Sequence, residues 1–207
     1  MRRIPVLPTM IVGLAVAAMV SLGIWQLHRA TWKEGLLATY RAAAHAAPLY
    51  GLPAGLPVDK AAFRRTHILC RIAGVPTMIG GSNAKGETGF RNISGCTLID
   101  GRQIMADLGW SPVGVRPGLP AIGQRIEGEG VLIPDEVLAR RVLGDAPRVT
   151  PLLFVLDGGM PGLSASVPPS IETIPNNHRG YAVQWFLFAA VALVIYALAL
   201  WKRNRAG

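Results

Sequence analysis

The sequence has few charged residues, few cysteines and no catalytic motif. Only 16% of its 207 residues are Asp, Glu, Lys or Arg, whereas a soluble globular domain carries about 25%. Hydrophobic residues make up 51%, which excludes a disordered chain, because disorder requires low hydrophobicity and high charge. Two cysteines are too few for a disulfide scaffold. The chain lacks GxSxG, HExxH, a phosphate loop and a dinucleotide fingerprint, so we predict that it is not an enzyme.

The net charge of +9 would suit a nucleic-acid partner, but the positions of the charges do not. Residues 30–181 contain 15 basic and 12 acidic residues and are nearly balanced. A nucleic-acid-binding domain would instead gather its basic residues on one folded face. Much of the excess lies in the two terminal tails, at Arg2, Arg3, Lys202, Arg203 and Arg205. We therefore expect no nucleic-acid partner.

Two long apolar runs predict transmembrane helices at residues 4–27 and 177–201. The first contains no charged side chain, and each reaches the roughly 20 residues that span a bilayer core. Tryptophan and tyrosine residues stand at the helix ends, as is typical of the headgroup region. A signal peptide cleaved after Ala15–Ala17 is the alternative for the first run. The apolar residues continue to Leu27, which favours the membrane helix.

The basic tails predict the orientation, because Lys and Arg in short tails stay on the cytoplasmic side. Both termini are then cytoplasmic, and the region between the helices is periplasmic. No transit peptide precedes Ile4, which favours a bacterial inner membrane over a mitochondrial one. We thus expect a multi-pass protein of the bacterial inner membrane, in contact with the lipid bilayer.

The region between the two spans is predicted to be mainly β. Residues 28–47 are alanine-rich and extend the first helix, and residues 48–176 form the β-rich periplasmic domain. Acidic residues, then arginines, then Gly144 predict one short helix over 134–144. The fold class is therefore two transmembrane helices flanking a mainly β extracytoplasmic domain with one short helix. We expect that domain to be a small antiparallel barrel or curled sheet.

Local patterns predict individual strands within this domain. Asp100–Gly101 lies between two apolar runs and predicts a two-residue hairpin with positive φ at both turn residues. Gly80–Gly81 and Gly86 are interpreted as marking a turn before the strand at 88–93. The other predicted strands are residues 64–73, 88–93, 124–133, 150–157 and 170–174.

The two cysteines do not form a thiol-exchange or copper-binding motif, since Cys70 and Cys96 are 26 residues apart in different predicted strands. We interpret them as two buried thiols. A structural disulfide in an oxidising compartment is the alternative.

His178 is the histidine whose position carries information. It follows Asn176–Asn177, a pair suited to capping a helix, so it falls in the first turn of the second membrane helix. Tyr181 and Trp185 follow at i+3 and i+7 on the same face. The helix dipole disfavours a positive imidazole there, and a neutral imidazole is the form that binds a metal. In one interpretation, His178 is an interfacial histidine that hydrogen-bonds headgroups or water. In the other, it belongs to a porphyrin-binding surface, with or without His28 as a second ligand.

Motifs at both helix ends resemble those of the surfeit locus protein 1 family. Leu22–Arg29 with Trp32–Lys33 is similar to the family's LGxWQxxR…WK signature. Pro175–Tyr181 with Gln184–Trp185 is similar to its NxHxxYxxxW segment. Further similar segments are Phe63–Arg65, Gly89–Phe90, Met105–Pro112 and Glu127–Val131. The resemblance covers nearly the whole chain, in the same two-helix order.

The resemblance implies an assembly factor for haem-copper cytochrome c oxidase that binds haem a and helps its insertion into the catalytic subunit. The family's ligand histidine corresponds to His178, as a ligand of the haem iron. Tyr181 and Trp185 would flank the ring, and Arg179 would pair with a propionate. The implied partners are oxidase subunit I, possibly other oxidase subunits, and haem a synthase.

This sequence departs from the family pattern at Asp107–Leu108, where Asn-Arg is usual, so a basic contact beside Gly109 is expected to be missing. His28 also stands where the family often has another polar residue. Two other functions remain open. One is an accessory or scaffold subunit that stabilises the oxidase without binding haem, with His178 as a helix cap. The other is a membrane-anchored binding or sensor module, which the lack of a cytoplasmic output domain disfavours.

Overall fold

The computed structural model describes residues 5–145 and 147–205. Two long helices flank a mainly β region that contains the short helix α3, which confirms the predicted fold class. Arg2, Arg3 and Ile4, on which part of the sequence prediction depends, lie outside the described residues. The elements in chain order are α1 (Val6–Ala44), β1 (Leu49–Tyr50), α2 (Val58–Ala61), β2 (Arg65–Ile72), β3 (Thr77–Ser82), β4 (Thr88–Leu98), β5 (Gln103–Pro112), β6 (Arg125–Pro134), α3 (Glu136–Leu143), β7 (Val149–Leu156), the 3₁₀ turn Ile171–Thr173, and α4 (His178–Arg205).

The chain forms two compact units. The first contains the described residues up to Leu36 and those from Ile174 to Arg205, and the second contains the described residues between Leu37 and Thr173. In the described residues, two helices are long and apolar enough to cross a membrane: α1, and α4 together with the 3₁₀ turn before it. Only 6% of the most apolar stretch of each is buried. A core helix of a soluble protein would be mostly buried, so this protein is a membrane protein.

The second unit is a seven-stranded sheet that closes on itself. Its strands follow the order β1-β2-β6-β7-β5-β4-β3, and β2 also pairs with β4. The closed part is therefore a five-stranded barrel of β2, β6, β7, β5 and β4, which leaves β1 and β3 as additions. The barrel pairs are antiparallel except β5 with β7, which are parallel. Closure leaves no open edge among the five barrel strands.

A disulfide joins the two strands that close the barrel. Cys70 in β2 and Cys96 in β4 are bonded, with their Cα atoms 5.7 Å apart. Both are buried in the apolar core, together with Ile68, Leu132 and Phe154. The interpretation as two separate thiols is therefore wrong. Spacing along the chain could not reveal the bond, because it depends on the non-local pairing of β2 with β4.

The β4–β5 hairpin forms at the predicted place but with a different turn. The Gly101 amide donates to the Leu98 carbonyl, and the Leu98 amide donates to the Arg102 carbonyl. Gly101 has φ 81°, and Asp100 is not among the described residues of positive φ. This is a three-residue loop in which glycine alone takes the left-handed position. A side-chain hydrogen bond from Arg102 lowers the pKa of Asp100.

Two other local predictions are wrong. Gly80–Gly81 lies within β3 rather than in a turn, and the turn follows at Asn83–Gly86. Residues 170–174 contain a 3₁₀ turn rather than a strand. The short helix α3 is confirmed: the Asp135 carboxylate caps it by accepting from the Leu138 amide at 2.8 Å, and Gly144 ends it.

A buried ion pair occupies the position where the sequence analysis expects a missing basic contact. Asp107 is fully buried, and its Oδ2 lies 2.6 Å from both Nε and Nη2 of Arg91 on the neighbouring strand. Its Oδ1 accepts from the Gly109 amide at 3.0 Å and from the Ser166 hydroxyl at 2.9 Å. Arg91 therefore places a basic side chain against Asp107, and Asp107 links β5 to β4 and to the segment around Ser166.

Candidate functional site

His178 is the first residue of α4, as its position after the asparagine pair predicts. The Asn177 carbonyl accepts from the Tyr181 amide at 3.1 Å, so the first helical turn starts at this point. The imidazole is half-buried rather than enclosed. A side chain at this position stays accessible to a ligand that approaches the end of the helix.

A hydrogen bond to Gln26 on α1 orients the imidazole of His178. His178 Nδ1 lies 2.7 Å from Gln26 Oε1. With the Gln26 oxygen as the acceptor, Nδ1 is the donor and carries the proton. The neutral ring then keeps its lone pair on Nε2, the atom that can bind a metal. Gln26 lies within the Leu22–Arg29 motif, which by itself assigns it no role. The signal for a role is a lone amide at the end of an apolar span.

Small residues bring α1 and α4 together along this contact. Ala30, Ala182 and Ala189 are buried. A Cβ atom added at Gly23 would lie only 2.7 Å from the Phe186 ring, so glycine is what allows the approach there. Interfaces of membrane helices characteristically use small residues in this way.

The Gln26–His178 contact lies about one bilayer core from the other end of the helix pair. At the opposite end, the Thr9 hydroxyl hydrogen-bonds the Tyr196 hydroxyl. Eighteen residues separate His178 from Tyr196, which corresponds to about 27 Å along a helix. A hydrocarbon core is about 30 Å thick. The two polar contacts therefore have the spacing of the two membrane surfaces.

Two aromatic side chains stand on one side of His178. Trp185 is half-buried and meets Phe188 edge-on, with ring centroids 6.2 Å apart. Tyr181 is 50% exposed. Both lie within about 60° of His178 around the helix axis, because they follow it by seven and three residues. His178, Tyr181 and Trp185 thus share one face of α4.

Arg179 points away from this aromatic face. It is bonded to Glu34 on α1, with Nε 2.9 Å from Oε1 and Nη2 3.0 Å from Oε2. Around the helix axis it lies about 100° from His178 and about 160° from Tyr181. A propionate paired with Arg179 would have to replace Glu34 as the partner of the guanidinium.

His28 is exposed on α1, while Gln26 makes the contact with His178. Two residues along a helix turn by about 200°, so Gln26 and His28 face nearly opposite sides of α1. In the described ranges, no group of three or more His, Cys, Asp or Glu side chains could hold a metal ion. Haem iron needs only one or two axial ligands from the protein, so it does not require such a group.

A closed β-barrel domain and two helices long and apolar enough to cross a membrane define the class of this chain as a membrane-anchored β-barrel protein. The model of the SURF1 family matches residues 13–190, which is most of the chain and reaches from α1 into the first half of α4. The chain belongs to the SURF1 family. This family is associated with cytochrome c oxidase assembly, as the helix-end motifs imply. A search among curated proteins found no matching sequence.

Proposed function

We propose that this protein binds haem a at His178 and helps its insertion into the catalytic subunit of cytochrome c oxidase. The supporting observation is the imidazole itself: it is half-exposed, and the Nδ1 contact with Gln26 leaves Nε2 free to act as an axial ligand. Tyr181 and Trp185 offer aromatic surface beside it, on which a porphyrin face can pack.

The proposed role of the protein is to hold and transfer haem rather than to catalyse a reaction. One side-chain ligand at an accessible helix end gives a weak bond to the iron, which suits a protein that must hand the haem on. Haem a is thus the cargo. Oxidase subunit I, possibly other oxidase subunits, and haem a synthase are the proposed acceptors and donor, on the basis of the family.

We also propose a bacterial inner-membrane location, with both termini cytoplasmic and the barrel in the periplasm. The basic tails support this orientation by the positive-inside rule. The Cys70–Cys96 disulfide supports an oxidising compartment for the barrel, because cytosolic thiols are kept reduced.

The binding site is tested by titrating the full-length protein in lipid nanodiscs with ferric haem a and recording absorbance. We expect one binding site. Loss of a residue that only hydrogen-bonds a metal ligand weakens binding about 10- to 100-fold. Loss of the ligand itself in His178→Ala should therefore weaken haem a binding more than tenfold. Free imidazole should restore the ligated spectrum of that variant by occupying the vacated position. His28→Ala is the matched control, because His28 is an exposed histidine two residues after Gln26 on α1 and should leave the titration unchanged.

Equal binding by His178→Ala and the wild type would remove the site assignment. If the wild type binds no haem a but co-purifies with oxidase subunits, the protein is a scaffold and His178 serves only the helix pair.

A further inference from the structure

We infer that Gln26 is a positioning residue that selects the metal-binding tautomer of His178; this inference rests on the proposed haem site and adds a second helix to it. The observation is the 2.7 Å contact between His178 Nδ1 and Gln26 Oε1. Because the amide oxygen cannot donate, the contact exists for a neutral ring only when Nδ1 is protonated.

The contact orients the ring more than it stabilises the helix pair. Interhelical side-chain hydrogen bonds in a membrane protein average about 0.6 kcal/mol. Apolar packing at the same place could supply as much. Apolar packing could not determine which ring nitrogen carries the proton. The hydrogen bond does so, because it keeps the proton on Nδ1 and leaves the lone pair on Nε2, directed away from Gln26.

Gln26 reaches His178 because the helices pack closely in the turns beside it. Gly23 lies one turn before Gln26 and admits the Phe186 ring, and Ala30 lies one turn after it and is buried. Outer-shell partners of histidine ligands act in this manner in metal sites, where they fix the tautomer and raise the basicity of the ligand. The site is therefore formed jointly by α1 and α4.

The tautomer can be measured without haem, by ¹⁵N NMR of the imidazole in the full-length apoprotein above the pH at which the ring is charged. We expect Nδ1 to be protonated and Nε2 unprotonated in the wild type. Gln26→Leu removes the acceptor at similar size and should release the ring to the mixture of tautomers found in free histidine. Gln26→Glu keeps an acceptor and should keep Nδ1 protonated.

The same variants carry a second readout once haem a is bound. Gln26→Leu should weaken haem a binding about tenfold. Gln26→Glu should retain binding and lower the reduction potential of the iron, because a carboxylate acceptor makes the imidazole more electron-donating. Gln184→Leu is the matched control, since Gln184 is an exposed amide on α4 and should change neither readout.

The outcomes separate this inference from the proposed function. If Nδ1 is unprotonated in the wild type, or if Gln26→Leu leaves the tautomer, affinity and potential unchanged, the positioning role is refuted while binding at His178 stands. If the tautomer follows Gln26 but the wild type binds no haem a, the proposed function fails, and the role of Gln26 toward haem fails with it.

Discussion

Replacing Asp107 tests whether the buried ion pair holds the barrel together. The carboxylate is fully buried and is bonded by Arg91, by the Gly109 amide and by the Ser166 hydroxyl. Asp107→Ala would leave the Arg91 guanidinium, whose side chain is only 14% exposed, without its counter-charge. It would also leave the amide and the hydroxyl without an acceptor.

The expected loss of stability is large. Removing one partner of a buried ion pair costs about 3–5 kcal/mol, out of a total of roughly 5–15 kcal/mol for a typical domain. Asp107→Asn should cost less than alanine, because its amide oxygen can still accept from Gly109 and Ser166 while the charge is lost. Stability should therefore increase from Asp107→Ala to Asp107→Asn to the wild type, because each side chain in this order retains more of the bonds.

The assay is urea unfolding of the full-length protein in detergent micelles, followed by near-ultraviolet circular dichroism. Asp157→Asn is the matched control, since Asp157 also pairs with an arginine, Arg65, but the side chains are 48% and 50% exposed. An exposed pair is worth about 0–1 kcal/mol, so this control should unfold almost like the wild type. The reasoning is refuted if Asp107→Ala and Asp157→Asn have equal effects.

Two further predictions concern packing and the disulfide. Gly23→Ala would place a Cβ atom 2.7 Å from the Phe186 ring and should lower the free energy of unfolding by about 1–3 kcal/mol. Gly13→Ala is the control, because Gly13 lies on the same helix with open space around it, and it should cause no such loss. Equal melting curves for the two variants would contradict the close approach of the helices at Gly23. Replacing Cys70 and Cys96 together by alanine should lower the free energy of unfolding by about 3.5 kcal/mol, from the loop-closure entropy of a 26-residue separation. A reductant should then have no further effect, and a reductant-sensitive double variant would contradict the assignment.

The regular elements of the barrel follow from local sequence patterns. Alternating apolar residues predicted the strand at 124–133, observed as β6 at Arg125–Pro134, and the acid-first, arginine-last pattern predicted α3. Such signals arise within a few residues and do not depend on the rest of the fold.

The errors occur where a neighbouring strand decides the conformation. Gly80–Gly81 has the composition of a turn but pairs with β4, where a Cβ atom at Gly81 would lie 2.7 Å from the Arg91 side chain. The Cys70–Cys96 bond likewise depends on the pairing of β2 with β4. Neither pairing leaves a local trace in the sequence.

The candidate site also contains one feature that local sequence predicts and two contacts that it does not. The place of His178 at the start of α4 follows from the residues that precede it. Its partner Gln26 is 152 residues away, and the pairing of Arg179 with Glu34 spans 145 residues. Both contacts depend on the register between two membrane helices, which hydropathy alone does not determine.

The most direct test is the absorbance spectrum of the full-length protein purified from a host that makes haem a. We predict that the wild type retains haem a with the spectrum of a histidine-ligated iron, and that His178→Ala, purified in parallel, has lost that spectrum. A wild-type protein without haem a, or a His178→Ala protein that retains the same spectrum, would contradict the account.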